Sequence, residues 1–517
     1  MSYSFGNLNK VSHVQRGLAA ARAHNQSEAA TWFEKALQDN PDDTQAMALL
    51  GQALCSLGQR QQGLAHILGA GQRLLEHARG SGDIAKVLEV AAQLQQRGDF
   101  SGALELIGPA VAINATDFRG MQMLAATYAQ LNRKMDALKA GERAPELAPG
   151  NVMMQVFLAS LQADVGRNDL ARQRLAEVLN SAPNPREAFR AHKELARVLD
   201  RLGEFEQVFL HLRAAGELST RLPEYSGQDL ARIPAVLQEG RAGYDGALLG
   251  RWSGIDFPAT RGAPVFVIGF MRSGTTLMQE VLDAHPDVIV ADEANFVWAM
   301  QQELHRMDRS TASTAEKLRR LDQAGIEHLR KFYWQCVADR FGDSIADRVF
   351  VDKFTMNTID IGLINVVFPD AKVLFVMRDP RDVCLSCFMQ LLPPTPMTAH
   401  LLNWESTIRI YCLVMDWWLH IRPLLTLRCE EFRYEDVVAD FESTFRRVFE
   451  FLGVAWDAGV IDFHKRAAGK AISTPSRTQV SQPLYASSVA RWRNFEPEFA
   501  AVADVLRPYL QAFAYAE

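Results

Sequence analysis

A chain of 517 residues is too long for one core of ordinary size, so two or three domains are expected. With 48% hydrophobic and 22% charged residues it reads as folded rather than disordered. A net charge of -6 argues against a dedicated nucleic-acid binder but leaves room for a local basic pocket.

The opening MSYSFGNLNK lacks the apolar core of a leader, and no uninterrupted apolar run nears the roughly 20 residues that span a bilayer. A cytoplasmic protein without a membrane span is expected. The six cysteines, at 55, 336, 384, 387, 412 and 429, show no framework spacing, in keeping with a reducing compartment. Cys384 and Cys387 form a CxxC, but in a helix-like segment with no second pair nearby, so they read as two helical thiols rather than a metal site.

From residue 11 to 222 the chain is rich in Ala, Leu and Gln and almost free of strand signals. Turn marks recur at Asn25, Gly58, Gly98, Asn132, Gly166 and Gly203, spaced by 33, 40, 34, 34 and 37 residues. A period near 34 is the signature of a tetratricopeptide repeat. Ala29, Ala30, Phe33, Ala36 and Leu37, followed by Asn40-Pro41, fit one unit; Pro149 and Pro183 are again 34 apart. About five repeats are expected, with a lengthened helix around Ile67 to Arg79. Such a solenoid binds a peptide or protein partner on its concave face. Residues 223–263 read as connector and capping helices.

From 264 to 517, strand-like and helix-like segments alternate. Strands are predicted at Val265–Ile268, Val288–Ala291, Val349–Asp352, Lys372–Met377 and Leu425–Phe432. Helices are predicted at Thr275–Ala284, Ala315–Phe341, Asn357–Val367, Pro380–Gln390, Leu401–Ile421 and Phe441–Leu452. The fold class is thus an all-α repeat solenoid followed by a P-loop-like α/β domain with a mainly parallel sheet. Ligands of such sheets bind beyond the strands' carboxyl ends. There the sequence puts Arg272, Ser273, Thr275 and Thr276 after the first strand, Asp292-Glu293 after the second and Lys353 at the third. Arg378 and Arg381 follow the fourth, with Ser386 in the next helix, and Tyr434-Glu435-Asp436 follows the fifth.

Gly269 and Gly274, five apart between strand and helix, have the spacing of a phosphate-cradling loop. Thr275 stands where an NTPase needs Lys, which argues against the β/γ-phosphates of ATP. Glu293 is the conspicuous carboxylate that could act as a base. Its competing role is a salt bridge to a loop arginine.

These residues resemble the sulfotransferase family, whose members move a sulfuryl group from 3′-phosphoadenosine 5′-phosphosulfate (PAPS) to a hydroxyl or amine. Met271-Arg272-Ser273-Gly274-Thr275-Thr276-Leu277 looks like the family's 5′-phosphosulfate loop. Leu282 to Val288 with Asp292-Glu293, and Arg378 to Ser386, are similar to the tyrosylprotein sulfotransferases. Repeats ahead of such a domain look like bacterial tetratricopeptide-repeat sulfotransferases.

The resemblance implies that Arg272, Ser273, Gly274, Thr275 and Thr276 hold the 5′ end of the donor, and Arg378 and Ser386 its 3′-phosphate. Tyr434 lies near the nucleotide. A late loop brings Ser476 to the sulfuryl group and Arg491 to the 3′-phosphate. Glu293 is the implied catalytic base and Lys353 the implied catalytic lysine, with Arg272 and Ser476 assisting. PAPS is the donor, 3′-phosphoadenosine 5′-phosphate (PAP) the product, and no metal is expected.

The chain departs from the tyrosylprotein pattern. Val290 and Phe350-Val351-Asp352 stand where those enzymes place cysteines, and Ala294-Asn295 follows Glu293 with no arginine nearby. The acceptor, a peptide tyrosine or another hydroxyl compound, stays open. The alternatives are a P-loop nucleotide kinase and a non-catalytic repeat scaffold with a vestigial nucleotide site.

Overall fold

The computed structural model describes residues 12–257, 261–467, 484 and 488–516. The chain divides into two compact units, Met1–Gly166 and Arg167–Glu517.

The described part of the first unit is entirely helical. Consecutive helices pair as hairpins: His13–Arg22 with Gln26–Asp39, Thr44–Ser56 with Arg60–Ser81, Ala85–Gln96 with Phe100–Ile113, and Phe118–Gln130 with Lys134–Leu147. Val152–Asp164 follows. The turns come where the period puts them, and the extra residues lengthen Arg60–Ser81 to 22 residues. Asx side chains start many of the helices. Asp43, Asp99, Asp117 and Asn151 accept hydrogen bonds from the amides of Ala46, Gly102, Gly120 and Met154 at 2.6–3.0 Å. Such a cap contributes about 1 kcal/mol. Small residues let paired helices touch: a Cβ on Gly51 would lie 2.5 Å from the Gly63 carbonyl oxygen.

The second unit opens with helix Asn168–Asn180 and the hairpin Pro185–Leu202 and Phe205–Ser219. Its five described strands are β1 (Val265–Gly269), β2 (Val288–Asp292), β3 (Val349–Lys353), β4 (Lys372–Met377) and β5 (Arg428–Arg433). They form one sheet of order β2-β3-β1-β4-β5, every pair parallel. The chain leaves β1 toward β2 on one side and β4 toward β5 on the other. The adjacent ends of β1 and β4 therefore make a switch-point crevice. The run read as a buried strand is one, since Val265 to Ile268 are all 5% exposed or less. Val267, Leu374 and Val376 pack with Leu277, Val281 and Leu282 of helix Thr275–Asp283 in one apolar cluster.

Some boundaries differ from those predicted. β5 begins at Arg428 rather than Leu425, because the amides of Thr426 and Leu427 donate to Asn365 Oδ1 at 2.8 and 3.3 Å. The helix read over Ala315–Phe341 is two, Thr314–Arg320 and Gln323–Phe341, split where Asp322 caps the Gly325 amide at 2.9 Å. Helix Phe296–Met307, after Glu293, was not predicted. Among the described residues no helix is long and apolar enough to cross a membrane.

Candidate active site

The loop from β1 into helix Thr275–Asp283 is shaped by two residues with positive φ, Arg272 at 69° and Gly274 at 106°. A Cβ on Gly274 would lie 2.8 Å from Tyr434 Cδ2, so the ring of Tyr434 closes over a backbone position that has no room for a side chain. Gly274→Ala is expected to cost about 1–3 kcal/mol through strain and this clash. A lowered melting temperature in thermal unfolding checks it. Ser273 is 1% exposed, and its Oγ has no hydrogen-bond partner among the described residues. Thr275 Oγ1 lies 2.9 Å from Thr355 Oγ1.

β4 delivers the second cation. Arg378 is 8% exposed, 3.5 Å from Asp382 and 5.1 Å from the centre of the Tyr434 ring. It donates to the carbonyls of Arg272 (3.4 Å) and Ser488. Its Nε has no partner among the described residues. Ser386, two turns on in helix Pro380–Met389, accepts from Arg272 Nε at 3.0 Å. Arg272, Arg378, Ser386 and Tyr434 thus stand together at the crevice. Burial pushes the Tyr434 hydroxyl pKa up, against the pull of Arg378.

β2 and β3 deliver the charged pair. Lys353 is fully buried at the end of β3, where Val267 of β1 and Asp292 of β2 flank it in register. Its Nζ donates to Asp292 Oδ1 at 2.7 Å and to Glu293 Oε1 at 3.2 Å. The Glu293 amide donates to the Lys353 carbonyl at 2.8 Å. The competing salt bridge of Glu293 therefore forms, but with Lys353 and not with a loop arginine. Glu293 has φ 46°, a conformation non-glycine residues seldom adopt. Its side chain is 42% exposed.

A cavity of about 620 Å³ is lined by several of these residues, though not by Lys353 or Ser386. One end is lined by Arg272, Gly274–Thr276, Arg378, Tyr434 and Ser488, and Glu293 lies along its wall. The rest of the lining, the far end, mixes apolar residues such as Trp298, Met356 and Met397 with polar ones such as Asn295 and Gln301, and includes Asp360. The far-end residues escaped the sequence reading. They come from three short segments that share no motif. The spacing of Phe296, Val297, Met300 and Leu304 was the one signal that could have placed Trp298 on a helix.

Other residues singled out from sequence stand elsewhere. Arg381 is bound to Asp379 (2.8 and 3.0 Å) and to the Ala516 carbonyl, and lies 3.8 Å over the Trp492 ring. Arg491 makes an ion pair with Asp200 and a contact to Met389 Sδ. Ser476 lies outside the described residues. Cys384 and Cys387 are buried free thiols. Burial pushes Cys387 up to about 12 and Cys384 well above the usual thiol range, which keeps both protonated. No group of three His, Cys, Asp or Glu residues suited to a metal ion occurs among the described residues.

Residues 264–458 match the model of the sulfotransferase family. An uncharacterized protein of Aquifex aeolicus (strain VF5) is 27% identical over 69% of this chain, which spans about half, 46%, of that protein's length. Protein-tyrosine sulfotransferase A of Caenorhabditis elegans is 27% identical over 48% of this chain and 67% of its own. Among solved structures, the sulfotransferase domain of the Synechococcus PCC 7002 olefin synthase is 19% identical over 45% of this chain and 88% of that one, with a TM-score of 0.31.

Proposed function

We propose that this chain, whose residues 264–458 belong to the sulfotransferase family, is an enzyme that moves a sulfuryl group from PAPS to a hydroxyl acceptor. The observation that carries the reading is Arg378 Nε, a buried donor without a partner among the described residues, on a side chain that lines the cavity. Buried polar groups are nearly always satisfied, and a bound anion would satisfy this one. The side-chain-free cradle at Gly274, under the Tyr434 ring, fits the same ligand.

PAPS, when bound, would supply a sulfuryl group already activated by a phosphate leaving group. The amides of the 272–276 loop and Arg272 hold the charged 5′ end at a helix N-terminus. Arg378 and Ser386 hold the 3′-phosphate, for which a guanidinium suits better than an ammonium. Lys353 has three N–H donors and spends two on Asp292 and Glu293, which leaves one for the leaving oxygen. Placed there, it stabilises the negative charge that grows during transfer. Glu293 spends Oε1 on Lys353, and its exposed carboxylate edge takes the proton of the acceptor hydroxyl. Arg491 and Ser476 are assigned to the same ligand by family resemblance alone. The repeat helices of the first unit are proposed to recruit a peptide or protein, and the setting to be cytoplasmic.

The test is titration of the full chain with PAP. Saturable binding that outlasts excess Mg²⁺-ATP and is stronger than that of AMP is expected. Equal binding of AMP overturns the reading, and Mg²⁺-dependent phosphoryl transfer favours the nucleotide-kinase alternative. Glu293→Gln is expected to keep PAP binding and to slow transfer from radiolabelled PAPS to source-cell lysate by about 10²–10⁴-fold. An undiminished rate would remove Glu293 as the base.

A further inference from the structure

The far end of the cavity indicates what the acceptor looks like. Ile233, Trp298, Phe354, Met356 and Met397 line it, and Trp298 is 55% exposed, so its large apolar face is held open rather than packed. Monomeric proteins keep such faces where something covers them.

Asp360 is the odd member of this wall. It stands at the N-cap of helix Ile361–Val367, a position where an Asp side chain ordinarily bonds a helix amide, yet its carboxylate makes no capping bond. Among the described residues it has no side-chain hydrogen bond and no ion pair, and it lines the cavity. Burial pushes its pKa up to about 6, with no neighbouring cation to offset the shift. Tyr244, whose hydroxyl feels the Asp360 charge, is itself buried, and burial pushes its pKa up. Glu293 is a second carboxylate along the same wall. Arg232, on the rim, is exposed to solvent. An acidic acceptor would meet two carboxylates there.

We propose that the acceptor is an aryl-sized apolar hydroxyl compound bearing an ammonium group, the ring lying against Trp298 and Met356 and the ammonium pairing with Asp360. This rests on the donor-end reading above. In the transfer the acceptor oxygen gains the S–O bond while the S–O bond to the donor phosphate breaks. The electron pair leaves with PAP, and the acceptor proton goes to Glu293.

The experiment uses the full chain saturated with PAP, titrated by calorimetry at neutral pH with tyramine, 4-ethylphenol and 4-hydroxyphenylacetate, whose rings are alike and whose charges differ. Tyramine is expected to bind about tenfold or more tighter than 4-hydroxyphenylacetate, and Asp360→Asn to bring the two within about twofold. Trp298→Ala, at an exposed side chain whose loss leaves the core intact, is expected to weaken all three without changing their order. With radiolabelled PAPS, tyramine is expected to be the labelled product of the three. Tighter binding of 4-hydroxyphenylacetate or of an acidic tyrosyl peptide, no binding of tyramine, or a preference unchanged in Asp360→Asn would overturn the proposal. A chain that fails to bind PAP at all would instead overturn the donor-end reading.

Discussion

Lys353→Met is expected to reduce sulfuryl transfer by at least about 10²–10³-fold while leaving PAP affinity nearly unchanged. The buried ammonium has two duties in the structure. It neutralises Asp292 and Glu293, and it holds Glu293 in its left-handed conformation at the end of β2. Removing it strands two neighbouring carboxylates. Stranding a fully buried charge costs about 3–5 kcal/mol, but these carboxylates are 24% and 42% exposed and water absorbs part of that cost. The fold should survive with a lowered melting temperature. The double variant Lys353→Met, Asp292→Asn removes one stranded charge, so it is expected to regain stability without regaining transfer. Transfer that recovers together with melting temperature would make Lys353 a structural residue. Lys353→Arg is a poor rescue, because the side chain is enclosed by β1 and β2 and has no space for a larger head group.

The loop end of the cavity was legible because each of its parts is local. Val265 to Ile268 declares a buried strand, the Gly269–Gly274 spacing declares the loop, and Arg378 and Ser386 are eight residues apart on one strand end and its following helix. Parallel topology then brings the strand ends together, since all five point the same way. Interactions that span the chain were not legible in this way. The Lys353–Glu293 ion pair joins residues 60 apart, and nothing in either segment announces that Glu293 turns back onto β3 rather than toward a loop arginine. Asn365 takes the amides of Thr426 and Leu427 across 61 and 62 residues and so shortens β5, although Leu425 to Phe432 reads as one strand. Asp322 stops a helix inside a pattern that runs on at helical spacing, because its side-chain bond to Gly325 outweighs the apolar periodicity. The apolar lining of the cavity is the extreme case. Ile233, Trp298, Met356, Asp360 and Met397 each look ordinary in sequence, and only the fold gathers them.

Arg378→Ala is expected to weaken PAP binding by about 30–100-fold, the loss of one charge-assisted hydrogen bond at roughly 1.5–3 kcal/mol. What separates a phosphate ligand from a structural tie is the ratio of PAP to AMP affinity. Arg378 already donates to the Arg272 and Ser488 carbonyls and faces Asp382, so its loss could loosen the crevice for any nucleotide. If that is all it does, PAP and AMP weaken together and the ratio holds. If Nε and its neighbours meet the 3′-phosphate, AMP affinity barely moves and the ratio falls toward one. Arg378→Lys should restore charge but not fork geometry, and recover only part of the ratio. Asp382 supplies an independent check. Burial already raises its pKa, and Arg378 is the largest influence holding it down. A carboxyl whose folded pKa is raised above its unfolded value costs stability as pH climbs from the unfolded pKa toward the folded one. Without Arg378 that folded pKa rises further, so the stability gap between Arg378→Ala and wild type should widen as pH climbs from the already raised wild-type value toward the higher one of the variant. Arg378→Ala, Asp382→Asn should narrow the gap again while PAP affinity stays low. A gap independent of pH would mean that Asp382 does not depend on Arg378, and a PAP to AMP ratio unchanged in Arg378→Ala would take the 3′-phosphate away from it.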